Sequence, residues 1–253
     1  MNAMIFAAGL GTRLKPLTDT MPKAMVPVGG KPLIHILIDR LKAAGVGEVV
    51  INVHHFAQQI VDYVKAHDSF GLDIRFSDET DMLLETGGGL KKAVSLFSDS
   101  SPILVHNVDI LSNADLTALY SQSRSTTLLT SQRATQRYLL FDHDDRLVGW
   151  TNIATGAVKS PYEDLRAIGE SSLSIQEKVD KLTSFYRPLA FSGIQVFYPD
   201  LAPLMDTWQG KFSIIDFYLS ICDKTPIRCA IQPGLRLLDV GKLNSLEEAE
   251  SFV

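Results

Sequence analysis

The sequence predicts an α/β fold in which a mostly parallel mixed sheet is flanked by helices. Apolar, β-branched runs alternate with segments of helical periodicity at the spacing of strand–helix–strand crossovers. Prolines and glycines punctuate the changes, as at Pro32 and Gly45. The chain has 253 residues, 45% of them hydrophobic, which is enough to bury a substantial core.

Residues 3–8 read as a buried strand. Residues 31–44 read as a helix, with Pro32 in its first turn and Gly45 at its C-terminal cap. Leu33, Ile34, Leu37, Ile38 and Leu41 form its apolar stripe. A strand at 48–53, a helix at 56–66 and a strand at 73–76 follow. Residues 89–97 look helical, and 102–108 form a β-rich apolar run. After residue 125 the rhythm shifts to strands at 126–131, 138–141 and 146–150, the last two joined by the turn-like Asp142-His143-Asp144-Asp145. Residues 152–187 are polar, without clear periodicity. A strand at 191–197, helices at 200–208 and 214–222, strands at 227–231 and 235–238 and a helix from Asn244 complete the order. No internal repeat is evident, so the expectation is one domain over 1–253 with a substrate-side segment inserted at about 133–190.

The net charge of −5 gives no electrostatic reason to expect nucleic acid. Cys222 and Cys229 fit neither a disulfide framework nor a zinc knuckle, which points to a reducing compartment. The opening apolar run has no basic residue before it and no cleavage site after it, and no stretch reaches the length of a membrane span. The expectation is a cytoplasmic protein with no membrane partner.

The first chemical feature is Met4-Ile5-Phe6-Ala7-Ala8-Gly9-Leu10-Gly11-Thr12-Arg13-Leu14, followed by Pro22-Lys23. Glycines after a strand let backbone N–H groups face phosphate oxygens, while Arg13 supplies a fork and Lys23 a point charge. Leu14 stands where a dinucleotide fingerprint has its third glycine, and no Walker lysine follows. A plain turn with two solvated cations is the alternative. The second feature is Leu84-Glu85-Thr86-Gly87-Gly88-Gly89. Three glycines in a row suggest close approach of a ligand, or else a flexible entry to the next helix. Asp109 closes the apolar run Ile103-Leu104-Val105-His106-Asn107-Val108, at the carboxyl edge of a strand where open α/β sheets bind ligands. A carboxylate there suits Mg2+, or simply starts a turn. Asp239, in Leu238-Asp239-Val240-Gly241-Lys242, has a similar setting.

Together these runs closely resemble the signature of the sugar-1-phosphate nucleotidyltransferases, with its G-x-G-T-R and distal P-K. The resemblance continues through Gly29-Gly30-Lys31-Pro32-Leu33-Ile34 and covers most of the chain. It implies the Rossmann-like nucleotidyltransferase fold. Because the chain stops about a dozen residues after Asp239, no C-terminal β-helix is expected. It implies nucleotide contacts from Ala8, Gly9, Gly11, Thr12, Arg13, Lys23, Thr86, Gly87 and Gly88. Arg13 and Lys23 would act catalytically, on the departing pyrophosphate and on the α-phosphate respectively, both from exposed positions. Asp109 and Asp239 would hold Mg2+, although Val108 replaces the glycine of N-G-D and Lys242 the threonine of D-V-G-T. Asn107, Ser192 and Gly193 would border the sugar phosphate, the last two in Phe191-Ser192-Gly193-Ile194. Many relatives carry an E-K pair before that strand; here Glu177-Lys178 is the only such dipeptide nearby, at a longer spacing. Arg137-Tyr138 stands where related uridylyltransferases have Gly-Asp.

The implied partners are a nucleoside triphosphate and a sugar 1-phosphate. UTP with an N-acetylhexosamine-type phosphate such as N-acetylmuramic acid 1-phosphate is favoured, which would supply nucleotide sugar for the cell wall. The guanylyltransferases of mannose 1-phosphate and the cytidylyltransferases of choline phosphate are the alternatives within the fold, and a non-catalytic nucleotide-sugar sensor or regulatory subunit is the alternative outside enzymology. His54 and His55 are neighbours on a strand end, so their side chains diverge, unlike a metal pair. Trp150 suits either a sugar stack or a half-buried strand end.

Overall fold

The computed structural model describes residues 1–252. Fourteen strands run in chain order: β1 Asn2–Phe6, β2 Pro27–Val28, β3 Lys31–Pro32, β4 Glu48–Val53, β5 Asp73–Asp78, β6 Ile103–Asn107, β7 Ile110–Ser112, β8 Thr127–Ser131, β9 Arg137–Phe141, β10 Leu147–Asn152, β11 Ala157–Lys159, β12 Arg187–Phe197, β13 Arg228–Ile231 and β14 Leu237–Asp239. Eight α-helices connect them: α1 Leu33–Ala43, α2 Ala57–Ala66, α3 Glu85–Val94, α4 Leu116–Gln122, α5 Glu163–Glu170, α6 Ile175–Phe185, α7 Ile214–Ile221 and α8 Asn244–Glu250.

Ten strands form one sheet with the path β11-β10-β9-β12-β6-β1-β4-β5, to which β8 and β13 attach through β12. The neighbours β6, β1, β4 and β5 are parallel, whereas β12 pairs antiparallel with β6, β8 and β9. Two short ribbons, β2-β3 and β7-β14, stand off the sheet. Alternation in β1 sends Ala3 and Ile5 to one face, under α1 and α2, and Met4 to the other, against α3 and α7. All three of those side chains are fully buried. The four parallel strands therefore share a carboxyl edge at Phe6, Val53, Asp78 and Asn107, covered on both faces by helices and open at the top.

Four element expectations change. Lys31 and Pro32 form a strand of the small hairpin, and α1 starts only at Leu33. Residues 200–208 give a 3-10 helix over Pro199–Met205, because Pro203 inside it has no N–H to donate. Residues 152–187, which lack legible periodicity, contain β11, α5 and α6. Helix α5 buries Leu165 and Ile168 and α6 buries Leu182, so neither shows the stripe of a core helix. Helix α3 begins four residues earlier than expected and takes in the three glycines. No helix of the described residues is long and apolar enough to cross a membrane.

One core residue carries a pH signature. His106 of β6 is fully buried, and burial pulls its imidazole down to about 4. The unfolded chain takes up a proton near pH 6.5 and the folded chain resists it until about pH 4, so stability falls as pH drops through that window. Between pH 7.5 and pH 5 the loss from this group should be about 2 kcal/mol. Urea unfolding at both pH values checks it: His106→Met, which cannot titrate, should show the smaller difference by that amount.

Candidate active site

The chain leaves β1 at Phe6 and crosses the carboxyl edge of the parallel strands. The Asn52 Oδ1 on β4 accepts hydrogen bonds from the Ala7 and Ala8 N–H groups, at 2.7 and 3.3 Å. Gly9 follows in the open, with nothing within 4 Å of where a Cβ would sit. Gly11 is different. Its φ is +64°, and a Cβ there would lie 2.9 Å from the Thr18 Cγ2 and 3.1 Å from the Lys23 Cβ. Only glycine meets both demands. The Thr18 hydroxyl donates to the Gly11 carbonyl at 2.9 Å and holds the turn closed. A one-turn 3-10 helix, Thr12–Leu14, then buries Leu14 and leaves Arg13 exposed. The Arg13 guanidinium lies against the backbone of Gly241, where a Cβ would sit 2.7 Å from an Nη.

Lys23 begins the third 3-10 turn after β1, Lys23–Met25, and points inward. Its ammonium forms an ion pair with Asp109, the two side chains being only 10% and 18% exposed. This corrects the expectation that both cations are exposed. Arg13 is; Lys23 has been drawn into the cleft by the carboxylate. Asp109 itself follows β6 as expected. Val108 is buried, its N–H donates to the Phe6 carbonyl at 3.2 Å, and the valine therefore packs into the core while keeping the carboxylate at the strand end.

Asp239 reaches the same place from the far end of the chain. The β7-β14 ribbon sets Asp239 opposite Ile110, and the Val240 N–H donates to the Asp109 carbonyl at 2.8 Å. Burial first, and the like charge of Asp109 second, hold the Asp239 carboxyl above the ordinary range, with Lys23, Arg13 and Arg133 pulling the other way. Two neighbouring carboxylates that repel each other are a donor set suited to a hard divalent cation. Mg2+ is commonly bound by one or two carboxylates, its other positions going to water and phosphate oxygens. No group of three or more acidic, His or Cys side chains is gathered among the described residues. The pair fits that pattern.

These elements enclose a cleft of about 490 Å3. Ala8, Gly9, Gly11, Thr12, Arg13, Lys23, Thr86, Asn107 and Asp109 line it, and Asp239 stands at its rim beside the lining residue Gly241. Asn107 is held against Gly193, whose φ of +77° and missing Cβ make room for the amide: a Cβ would lie 2.9 Å from its Nδ2.

Two expectations fail here. Ser192 is buried and its hydroxyl donates to the Leu129 carbonyl at 2.6 Å, so that side chain cannot meet a sugar phosphate. Gly87 and Gly88 do not line the cleft. Both N–H groups point to the Phe212 carbonyl, at 2.8 and 3.4 Å. The glycines have ordinary helical backbone and serve packing instead. Gly87 admits the Phe212 ring, Gly88 the Gly210 carbonyl, and Gly89 the side chains of Asn52 and Glu79. Gly87→Ala should therefore destabilise the protein by about 2 kcal/mol through overpacking, which a urea titration would register. The wall facing the cleft is built by Glu85 and Thr86. Glu85 adopts φ +58° at the head of α3 and pairs with Lys211 at 3.3 Å. The Thr86 hydroxyl accepts from the Ile214 N–H at 3.0 Å.

Glu177 and Lys178 lie outside the cleft. Glu177 completes a capping box with Ser174 at the head of α6, and the Lys178 ammonium donates to the Gly169 carbonyl at 2.7 Å. Trp150 is half-buried beneath the Lys159 ammonium, 5.4 Å from the ring centroid. Sequence reasoning missed Asn52 and Glu79. The signal was there: one amide inside the apolar strand Val49-Val50-Ile51-Asn52-Val53.

Known proteins share sequence and fold with this chain. Residues 2–137 match the family described as nucleotidyl transferase. The N-acetylmuramate alpha-1-phosphate uridylyltransferase of Caulobacter vibrioides is 49% identical over 109 residues, covering 42% of this chain and 45% of that protein. The mannose-1-phosphate guanyltransferase of Kluyveromyces lactis is 35% identical over 170 residues, covering 64% and 46%. The chain thus matches about half the length of these curated relatives. Among solved structures, HddC from Yersinia pseudotuberculosis, crystallised with GMP-PN, superposes over 99% of this chain and 98% of its own, with a TM-score of 0.71 and 21% identity. That likeness concerns the fold.

Proposed function

This chain belongs to the nucleotidyl transferase family, and on that footing we propose that it joins a nucleoside triphosphate to a sugar 1-phosphate and releases pyrophosphate. The observation that carries the reading is the meeting of Arg13, Lys23, Asp109 and Asp239 at one cleft, drawn from three distant parts of the sequence.

The sugar-phosphate oxygen attacks the α-phosphorus in line. The new P–O bond forms as the bond from the α-phosphorus to the bridging oxygen breaks, and pyrophosphate departs with those electrons. No protein nucleophile is required. Arg13, exposed on its 3-10 turn at the cleft mouth, would receive the departing pyrophosphate. Lys23, deeper and next to Asp109, would meet the α-phosphate and the attacking oxygen. Asp109 and Asp239 would hold Mg2+, which when bound supplies neutralisation of phosphate charge. Asn107 and the Gly193 bend border the side from which the sugar phosphate would enter.

UTP and an N-acetylhexosamine-type 1-phosphate, N-acetylmuramic acid 1-phosphate above all, are the favoured substrates, supported by the Caulobacter relative. The Kluyveromyces relative favours a second reading, GTP with mannose 1-phosphate. A panel of four triphosphates against these sugar phosphates, with and without Mg2+, decides between them by pyrophosphate release. UTP with N-acetylmuramic acid 1-phosphate should be turned over fastest, and only with the metal. Tight binding of a nucleotide sugar with no turnover of any pair would leave a sensor and sink the enzyme.

A further inference from the structure

Beneath the cleft lies a carboxyl group that the reaction does not use. Glu79 follows β5 and is 1% exposed, a rare position for glutamate without a cation beside it. Its two oxygens are both acceptors. Oε1 takes the Asn52 Nδ2 at 2.8 Å and Oε2 takes the Leu84 N–H at 3.0 Å. Gly89 leaves the room for this pair, since a Cβ there would sit 2.8 Å from the Glu79 Oε1 and 3.0 Å from the Asn52 Nδ2.

We infer that Glu79 is a positioning residue for nucleotide binding, which fixes the Asn52 amide and so ties the two walls of the cleft together. The inference rests on the nucleotide reading above. The N–H groups of Ala7 and Ala8 need an acceptor, so Asn52 must present its Oδ1 to them. Its NH2 must then face Glu79, and only a group with no donor of its own can accept it and the Leu84 N–H together. One wall, the turn from Ala7 to Gly11, is thereby set through Asn52. The other, from Leu84 into Glu85 and Thr86, is set by Glu79 directly. Preorganisation of this kind raises affinity by removing the ordering cost from the binding step.

Glu79→Gln keeps the size and spoils the match. Glutamine offers one acceptor and one donor to two donors, so either Leu84 or Asn52 faces an NH2. If Asn52 turns over to relieve this, its own NH2 meets the Ala7 and Ala8 N–H groups. Asn52→Asp fails in the opposite way, by setting two carboxyl groups face to face. The two changes together restore every partner. The carboxylate introduced at position 52 would accept from Ala7, Ala8 and the Nε2 of the introduced glutamine, and the Oε1 of that glutamine would accept from Leu84.

The test is titration of the wild type, both single variants and the N52D/E79Q double variant with UTP, GTP, CTP and dTTP, alongside thermal melting. Each single variant should bind the preferred triphosphate about ten-fold more weakly or worse, and the double variant within about three-fold of the wild type. In turnover the loss should fall on KM for the triphosphate and spare KM for the sugar phosphate. Equal binding by wild type and E79Q overturns the positioning role while leaving the nucleotide reading in place. A wild type that binds no triphosphate overturns both. Should E79Q fail to fold, a folded double variant with restored affinity supports the inference, and a folded double variant as weak as N52D overturns it.

Discussion

Lys23→Ala should lower turnover by two to three orders of magnitude and at the same time remove about 3 kcal/mol of folding stability. The two losses share a cause. The ammonium is buried with the carboxylate of Asp109, and its removal strands that largely buried carboxylate beside the like charge of Asp239. Arg13→Ala is the contrast: its side chain is exposed and is one of three cations that offset the Asp239 charge, so it should lose turnover with a smaller change in stability. Urea unfolding without divalent cation, paired with pyrophosphate release, separates the two. Unchanged unfolding of Lys23→Ala would mean that the ion pair with Asp109 contributes nothing to the folded state.

Asp239→Asn should behave in the opposite sense. Its carboxyl is held above the ordinary range by burial and by Asp109, so the charged form is disfavoured in the folded protein relative to the unfolded chain. For an acid shifted in this direction, folding becomes less favourable as pH rises through the ordinary carboxylate range towards the folded value, and the penalty persists at neutral pH. Neutralising the residue removes that penalty. The variant should melt no earlier than the wild type in metal-free buffer, while pyrophosphate release falls by a factor of about a hundred or more. A lower melting temperature in EDTA, with turnover preserved, would contradict both halves. Strain of this sign is typical of residues kept for chemistry at some expense to the fold.

The charged residues at the cleft are legible in the sequence because each sits in a short run with its own local reason. Arg13 follows a glycine turn, Lys23 a proline, and both aspartates close apolar strands. The parallel strands are legible for the same reason, since burial on both faces leaves continuous apolar runs such as that of β4. What stays hidden depends on partners distant in the chain. The three glycines read as a ligand loop, yet they answer to Phe212, Gly210 and the Asn52–Glu79 pair, none of which adjoins them in sequence. Ser192 looks available because nothing local reveals the Leu129 carbonyl to which its hydroxyl donates. Helices α5 and α6 rest on a small satellite core with Leu140 and Val148, too few contacts to impose a stripe. The capping box at Ser174 and Glu177 is their one written signal.

The β7-β14 ribbon has a consequence for the order of events during synthesis. Asp109 lies in the part of the chain that matches the family, and Asp239 arrives from beyond it, brought alongside by this three-residue pairing and the Val240 N–H to Asp109 carbonyl bond. A nascent chain carries Arg13, Lys23 and Asp109 long before it carries their fourth partner. Ribosomes add roughly 5–20 residues per second, so several seconds separate the emergence of the two carboxylates. During that interval the parallel strands can assemble with Lys23 already satisfied by Asp109. Were the two aspartates to hold a metal as proposed, a chain broken off before β14 would have the cradle and the cations but no second carboxylate, and would be held inactive by its own truncation.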